Sequence, residues 1–111
     1  MPAPHHPSLA VRRSLQKLGA DIRDARLRRG LPAEVVADRA FTTRPTLRRI
    51  EAGDAGVGIG IYAAVLNALG LLSPLTNLAD PANDAVGLSL AADALPQRAR
   101  LKSRRSEADH G

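Results

Sequence analysis

The 111-residue chain has no cysteine and no tryptophan, and it has only one phenylalanine and one tyrosine. The lack of cysteine excludes a disulfide framework, and no basic N-terminal start leads into a long apolar run, so nothing indicates secretion. We therefore expect a cytoplasmic protein. So few aromatic side chains leave no stacking platform for single-stranded nucleic acid, which favours duplex DNA as a partner over single-stranded RNA.

Long hydrophobic runs are also missing. The most apolar stretch, residues 58–72, contains Asn67 and three glycines. It falls short of the roughly 20 residues that a membrane-spanning helix needs. We therefore assign this stretch to a folded core and expect no membrane partner.

Reactive groups are scarce as well. The three histidines lie near the termini, and no predicted helix face carries paired carboxylates. Because catalysis needs such groups gathered in a pocket, we expect no enzymatic activity and no cofactor. His5 and His6 could bind a metal ion weakly, but no other ligand lies near them in the sequence, so we expect no metal site.

The charges are divided unevenly along the chain. Residues 9–53 carry eleven Arg or Lys against five acids, residues 54–95 carry four acids and no basic residue, and residues 96–111 carry five basic residues against two acids. This division suggests separate surfaces for separate partners, with nucleic acid as the natural partner of the first. Residues 54–95 suit an interaction or dimer surface, or a plain solvated face. The basic tail either reaches DNA or only keeps the chain soluble.

Apolar spacing and capping residues predict an all-α fold of short helices. Ser8 is a good N-cap for a first helix that runs to about Arg29, and Gly30 ends it. Pro32 is expected in the first turn of a second helix, and Thr43 caps a third that Gly53 ends. The fourth helix spans about residues 59–69, closes at Gly70, and has a predicted inward stripe of Ile59, Tyr62, Val65, Leu66 and Leu69.

Two further segments are predicted before the tail. Ser73 and Pro74 start a fifth helical segment that Asp80 and Pro81 end, and Asp84 caps a sixth that runs to Leu95. The predicted organisation is a disordered arm (residues 1–7), a helix-turn-helix domain (8–72), a C-terminal helical extension (73–95) and a basic disordered tail (96–111).

The third helix carries the strongest functional signal. Its spacing turns Arg44, Arg48 and Arg49 outward and Leu47 and Ile50 inward. A cationic helix on an apolar base fits the major groove of DNA, which is about 12 Å wide. The alternative is that these arginines only solvate a surface helix.

The same region resembles the Xre-type, phage-repressor-like helix-turn-helix family. The pattern is matched by Leu18-Gly19, Ile22-Arg23, Arg26, Gly30-Leu31, Ala37, Arg39-Ala40, Thr43, Thr46-Leu47, Arg49-Ile50-Glu51, Gly53 and Ala68-Leu69-Gly70. The resemblance implies a four- to five-helix repressor-like domain with an additional short C-terminal helix. Two departures are visible: Phe41 replaces the usual turn glycine, and Pro32-Ala33 replaces the usual Ser-Gln.

The resemblance also assigns roles to individual residues. It implies that Arg44, Pro45 and Arg49 face the bases. Hydroxyls and helix N-termini hold phosphates without reading sequence, so Thr43, Thr46 and Arg48 are assigned to the DNA backbone. The resemblance further implies a structural ion pair between Arg26 and Glu51. Because one short helix contacts few bases, a homodimer on a palindromic operator is expected.

Beyond this domain, residues 53–72 and 78–100 are similar to the HipB class of antitoxins. Such proteins are encoded with HipA-like serine/threonine kinases, and they dimerise, repress their own operon and hold the kinase in a complex. The segments DPANDAVGL and LPQRAR are the most specific parts of the likeness. It implies a transcriptional repressor that acts as an antitoxin with a kinase partner. A stand-alone transcriptional regulator is the alternative.

Overall fold

The computed structural model describes residues 6–94, and every regular element within them is helical. The elements are α1 (Leu9–Arg28), α2 (Ala33–Arg39), α3 (Arg44–Glu51), α4 (Ile59–Ala68), α5 (Leu72–Thr76), a 3-10 turn (Pro81–Asn83) and a last helix, α6, over residues 85–94. The prediction of an all-α fold is confirmed. Residues 1–5 of the predicted arm and the whole predicted tail lie outside the described residues.

Side-chain caps and glycines set the helix ends. The Ser8 hydroxyl accepts from the Val11 amide at 3.3 Å, and the Thr43 hydroxyl accepts from the Thr46 amide at 3.3 Å. Gly30, Gly53 and Gly70 follow their helices with φ of 62°, 76° and 76°. Glycine adopts this left-handed conformation without the cost that a Cβ would add. These predicted boundaries of α1, α3 and α4 are confirmed.

Two glycines let α1 approach the end of α3 backbone to backbone. A Cβ on Gly19 would lie 2.5 Å from the Ile50 carbonyl oxygen and 2.6 Å from the Gly53 amide nitrogen. A Cβ on Gly53 would in turn lie 2.5 Å from the Leu15 carbonyl oxygen. Neither position has room for a side chain, so this crossing fixes how α1 and α3 meet.

The core lies where α1 packs on α3 and where α2 packs on both α3 and α4. Its buried side chains come from α1 to α4, from the residues that end α2 and α4, and from the loop before α4: Ile22, Ala25, Val36, Ala37, Ala40, Leu47, Ile50, Val57, Tyr62, Val65, Leu66 and Leu69. Burial of this apolar surface is the main stabilising term for a domain of this size. The core holds α3 with one face inward and the other in solvent.

The chain divides into two units, Met1–Leu75 and Thr76–Gly111. All the buried core residues belong to the first. Within its described part, residues 76–94, the second unit has no buried residue. Its turns are built from aspartate caps: Asp80 accepts from the Ala82 amide at 2.8 Å, and Asp84 accepts from the Gly87 amide at 3.0 Å. Asp84 thus caps α6 as predicted.

Three sequence predictions need correction. Pro32 is the N-cap of α2 and lies one residue before its first turn. Ile59 was expected in the inward stripe of α4, but 72% of its surface is exposed, since no residue within 6–94 covers it. The fifth helix ends at Thr76 and does not reach Asp80, whose carboxylate instead caps the separate 3-10 turn.

Candidate nucleic-acid interface

Two fully buried side chains hold helix α3 against the core. Leu47 and Ile50 are 1% and 0% exposed, and they are among the largest buried side chains of the core. Thr43 caps the helix, and its hydroxyl also lies 3.0 Å from that of Thr46. The buried apolar face therefore sets the orientation of this eight-residue helix.

The opposite face of α3 is open to solvent. Arg44, Pro45, Arg48 and Arg49 are exposed, as is the N-cap Thr43, whereas Thr46 is half-buried. Pro45 falls in the first turn, where a missing amide removes no helical hydrogen bond. Except for the half-buried Thr46, the residues predicted to contact bases and phosphates thus lie on the solvent side of α3 or at its N-cap.

The buried face also carries an ion pair between α1 and α3. Nε of Arg26 donates to Oε2 of Glu51, and Nη2 donates to Oε1, each at 2.9 Å. A third donor, Nη1, reaches the Leu31 carbonyl oxygen at 3.1 Å. The side chains are only 12% and 10% exposed, and the hydrogen bonds to Glu51 raise the pKa of Arg26 despite its partial burial. These hydrogen bonds join α1 to α3 and to the loop before α2.

A second ion pair lies at the far end of α3, in solvent. Nε of Arg49 donates to Oδ2 of Asp54 at 2.8 Å, and the two side chains are 52% and 36% exposed. The hydrogen bond from Arg49 lowers the pKa of Asp54 most, and the one from the Gly56 amide lowers it further. The hydrogen bond to Asp54 in turn raises the pKa of Arg49. Of the three arginines on α3, Arg49 alone forms an ion pair with another residue within 6–94.

A cleft of about 240 Å³ opens beside α3, between α1 and the start of α2. It is lined by Arg23, Arg26, Ala33, Arg44, Leu47, Arg48 and Glu51. Within residues 6–94, Arg23, Arg44 and Arg48 form no ion pair. Because Arg26 and Glu51 neutralise each other, the cleft presents three uncompensated positive charges. Such a surface suits an anionic ligand.

The turn between α2 and α3 contains a strained residue. Phe41 has φ of 55°, and 97% of its surface is exposed. A bulky residue seldom adopts this conformation, which glycine takes freely. The Thr42 amide still donates to the Ala37 carbonyl oxygen at 2.9 Å, so the turn closes with Phe41 at this position.

A family model described as a helix-turn-helix domain matches residues 17–79, which is more than half of the chain. The chain belongs to the helix-turn-helix domain family. The match runs from the middle of α1 to just beyond α5, and it includes both helices of the motif, α2 and α3, and the Phe41 turn between them. Neither a curated protein nor a solved structure matches the chain. No described helix of this helix-turn-helix protein is long and apolar enough to cross a membrane.

Two residues of the interface were missed by sequence reasoning. Arg23 lines the cleft, and its position three residues before Arg26 on α1 was a usable signal. Asp54 pairs with Arg49 from beyond the end of α3, and no helical spacing could have indicated that contact. His5 lies outside the described residues; within those residues no group of three or more His, Asp or Glu could hold a metal ion.

Proposed function

We propose that this helix-turn-helix protein is a sequence-specific, double-stranded-DNA-binding transcriptional repressor that acts in the cytoplasm as a homodimer and has no enzymatic activity. The observation that carries the proposal is the solvent face of α3, where Arg44, Arg48 and Arg49 stand on a buried Leu47–Ile50 base. An α-helix of this kind enters the major groove with its exposed side chains toward the bases.

Base reading is assigned to Arg44, Pro45 and Arg49. Arginine can donate two hydrogen bonds to O6 and N7 of guanine, which is worth about 1–3 kcal/mol of discrimination. Pro45 donates no hydrogen bond and supplies an apolar contact, such as the methyl group of thymine accepts. These residues lie in the first two turns of α3, the part of such a helix that contacts base edges.

Phosphate binding is assigned to Thr43, Thr46 and Arg48, with Arg23 as an addition from the cleft. Arg48 lines the cleft together with Arg23 and Arg44, and none of the three is neutralised by a described carboxylate. Backbone phosphates beside α3, each with one negative charge, would offset these positive charges. Such contacts hold the register of the helix on DNA without reading sequence.

The size of α3 argues for a homodimer. Its eight residues span about 12 Å, which covers only three or four base pairs. Two copies about one helical turn apart, roughly 34 Å, would double the sequence that is read and would require a palindromic operator. Sedimentation of the free protein should therefore give the mass of two chains, and a single-chain mass on both free protein and operator complex would contradict the dimer.

The first test is a titration of the protein against the DNA upstream of its own coding sequence and against a scrambled duplex, by anisotropy at two salt concentrations. We expect tighter binding to the native duplex and a marked loss of affinity with salt. Equal, weak binding to both duplexes would indicate only non-specific electrostatic binding of a basic protein to DNA and would contradict the proposal.

Three substitutions divide the roles within α3. Arg44→Ala and Arg49→Ala should each reduce the preference for the native duplex, whereas Arg48→Ala should weaken binding to both duplexes and lower the salt slope by about one. Arg12→Ala, which removes the same charge from an exposed site in the first turn of α1, is the matched control. Equal effects from all four would contradict this division.

We propose, further, that the protein acts as an antitoxin that autoregulates its operon and binds a HipA-like kinase. The support is the resemblance of residues 53–72 and 78–100 to the HipB class. The exposed apolar side chains of α6 and the lack of any basic residue in residues 54–94 suit a protein-binding surface. Co-expression with a kinase encoded beside it should yield a stable complex. If no such complex forms, the stand-alone regulator remains.

A further inference from the structure

The Asp54 carboxylate is held in place by contacts other than Arg49. Its Oδ1 accepts from the Gly56 amide at 2.7 Å, and its backbone carbonyl accepts from the Tyr62 hydroxyl at 2.7 Å. Tyr62 is 5% exposed and belongs to the core. Asp54 is therefore a fixed acceptor, since the loop and α4 both hold its position.

The contact with Asp54 uses one particular edge of the Arg49 guanidinium. Nε donates to Oδ2 at 2.8 Å, whereas both terminal nitrogens have no described hydrogen bond, and the side chain is 52% exposed. Guanine presents O6 and N7 side by side and accepts two parallel donors from one arginine. The two terminal nitrogens supply such a pair, and the bond at Nε leaves both of them available.

The loop also leaves space for this arrangement. A Cβ on Gly56 would lie 3.0 Å from Oδ1 of Asp54 and 3.1 Å from Nη2 of Arg49. Any side chain at residue 56 would therefore press on both partners. An arginine that is already held in one orientation loses less side-chain freedom when it binds, and this favours the base that fits that orientation.

We infer that Asp54 is a positioning residue that sets the preference for guanine opposite Arg49. It acts through the arginine and does not itself read a base. This inference rests on the proposed function, because it requires α3 to lie in the major groove. It adds a residue outside the recognition helix that determines specificity at one base pair.

The test is selection of bound sequences from a randomised duplex library by the full chain and by three variants, Arg49→Ala, Asp54→Asn and Asp38→Asn. Asparagine keeps an acceptor for the Gly56 amide but removes the negative partner of Arg49. Asp38→Asn makes the same charge change at an exposed site on α2 that has no ion pair within the described residues. It therefore controls for the general gain in affinity of a more basic protein for DNA.

We expect the unchanged chain to select a motif in which Arg49→Ala abolishes the preference for guanine at one position. Asp54→Asn should lower that preference at least threefold and leave the other positions intact, and Asp38→Asn should change none. Replacing that guanine by 7-deazaguanine, which lacks the N7 acceptor, should weaken binding of the unchanged chain more than binding of Asp54→Asn.

The outcomes separate the inference from the function on which it rests. A motif that is identical for Asp54→Asn and the unchanged chain would overturn the inference and leave the proposed function standing. Uniformly tighter binding by Asp54→Asn, beyond that of Asp38→Asn, would also overturn it, because Asp54 would then only withhold Arg49 from DNA. If the unchanged chain selects no motif, both the function and the inference fail.

Discussion

Two arginine–carboxylate pairs lie at the two sides of α3, and their surroundings differ sharply. Arg26 and Glu51 are joined by two bonds of 2.9 Å with about a tenth of each side chain exposed, whereas Arg49 and Asp54 share one bond of 2.8 Å in solvent. Charges shielded from water are costly to separate, whereas a pair of exposed charges adds little to the free energy of unfolding. The same chemistry therefore suits anchoring in the first pair and recognition in the second.

The largest effect should come from disturbing the anchoring side through the backbone. Gly19→Ala places a methyl group against backbone atoms of Ile50, Glu51 and Gly53, which cannot move aside as a flexible side chain could. We expect a loss of roughly 3 kcal/mol or more in the free energy of unfolding, measured by denaturant titration. Gly60→Ala is the control, since nothing lies within 4 Å of its added methyl, and it should gain about 0.5–1 kcal/mol.

Breaking the shielded pair directly should rank second. Arg26→Ala leaves the Glu51 carboxylate without its partner in a mostly buried site, and we expect a loss of about 2–3 kcal/mol, below the range for fully buried pairs. The double variant Arg26→Met/Glu51→Leu removes both charges and should recover most of this loss. A single variant as stable as the unchanged chain would show that the pair does not anchor α1 to α3.

The strained backbone at Phe41 should lower the free energy of unfolding, although this residue lies on the surface beside α3. Its φ of 55° strains a bulky residue, and its ring gains no burial in return. Phe41→Gly should therefore raise the free energy of unfolding by about 1 kcal/mol. A loss of stability in thermal melts would mean instead that the ring makes a contact in solution.

The exposed pair should give the smallest change. Asp54→Asn and Arg49→Ala are expected to leave the melting temperature almost unaltered, although we expect both to alter the selected DNA motif. Because the pKa of Asp54 is lowered, any stability from the pair is fully present above the ordinary pKa of an aspartate, about 4, and is lost only as the pH falls below it. The stability difference between Asp54→Asn and the unchanged chain should thus stay constant from pH 5 to pH 8.

Local chemistry made most of the fold predictable. Caps such as Ser8 and Thr43, and glycines such as Gly53, act within three or four residues, so their effects can be read directly from the sequence. Helical spacing predicted that Leu47 and Ile50 would lie on the buried face of α3. The assignment of Arg44, Pro45 and Arg49 to bases came from resemblance and stays a prediction.

What could not be predicted depends on how elements meet in space. Helix α4 is apolar on most sides, so periodicity could not show that Ile59 would be left in solvent. The contact between Arg49 and Asp54 crosses a helix end and a left-handed glycine, and its geometry follows no fixed repeat. Both gaps concern tertiary placement, which sequence spacing does not encode.

The hydrogen bond from Tyr62 to the backbone of Asp54 gives the protein an internal optical probe. Tyr62 is the sole tyrosine, and the chain has no tryptophan to mask its emission. Its hydroxyl lies one bond from the loop behind Arg49, and burial raises its pKa. Ultraviolet fluorescence of the unlabelled chain therefore reports on the loop that supports α3, and a change of this emission in Arg49 or Asp54 variants would show that the loop has moved.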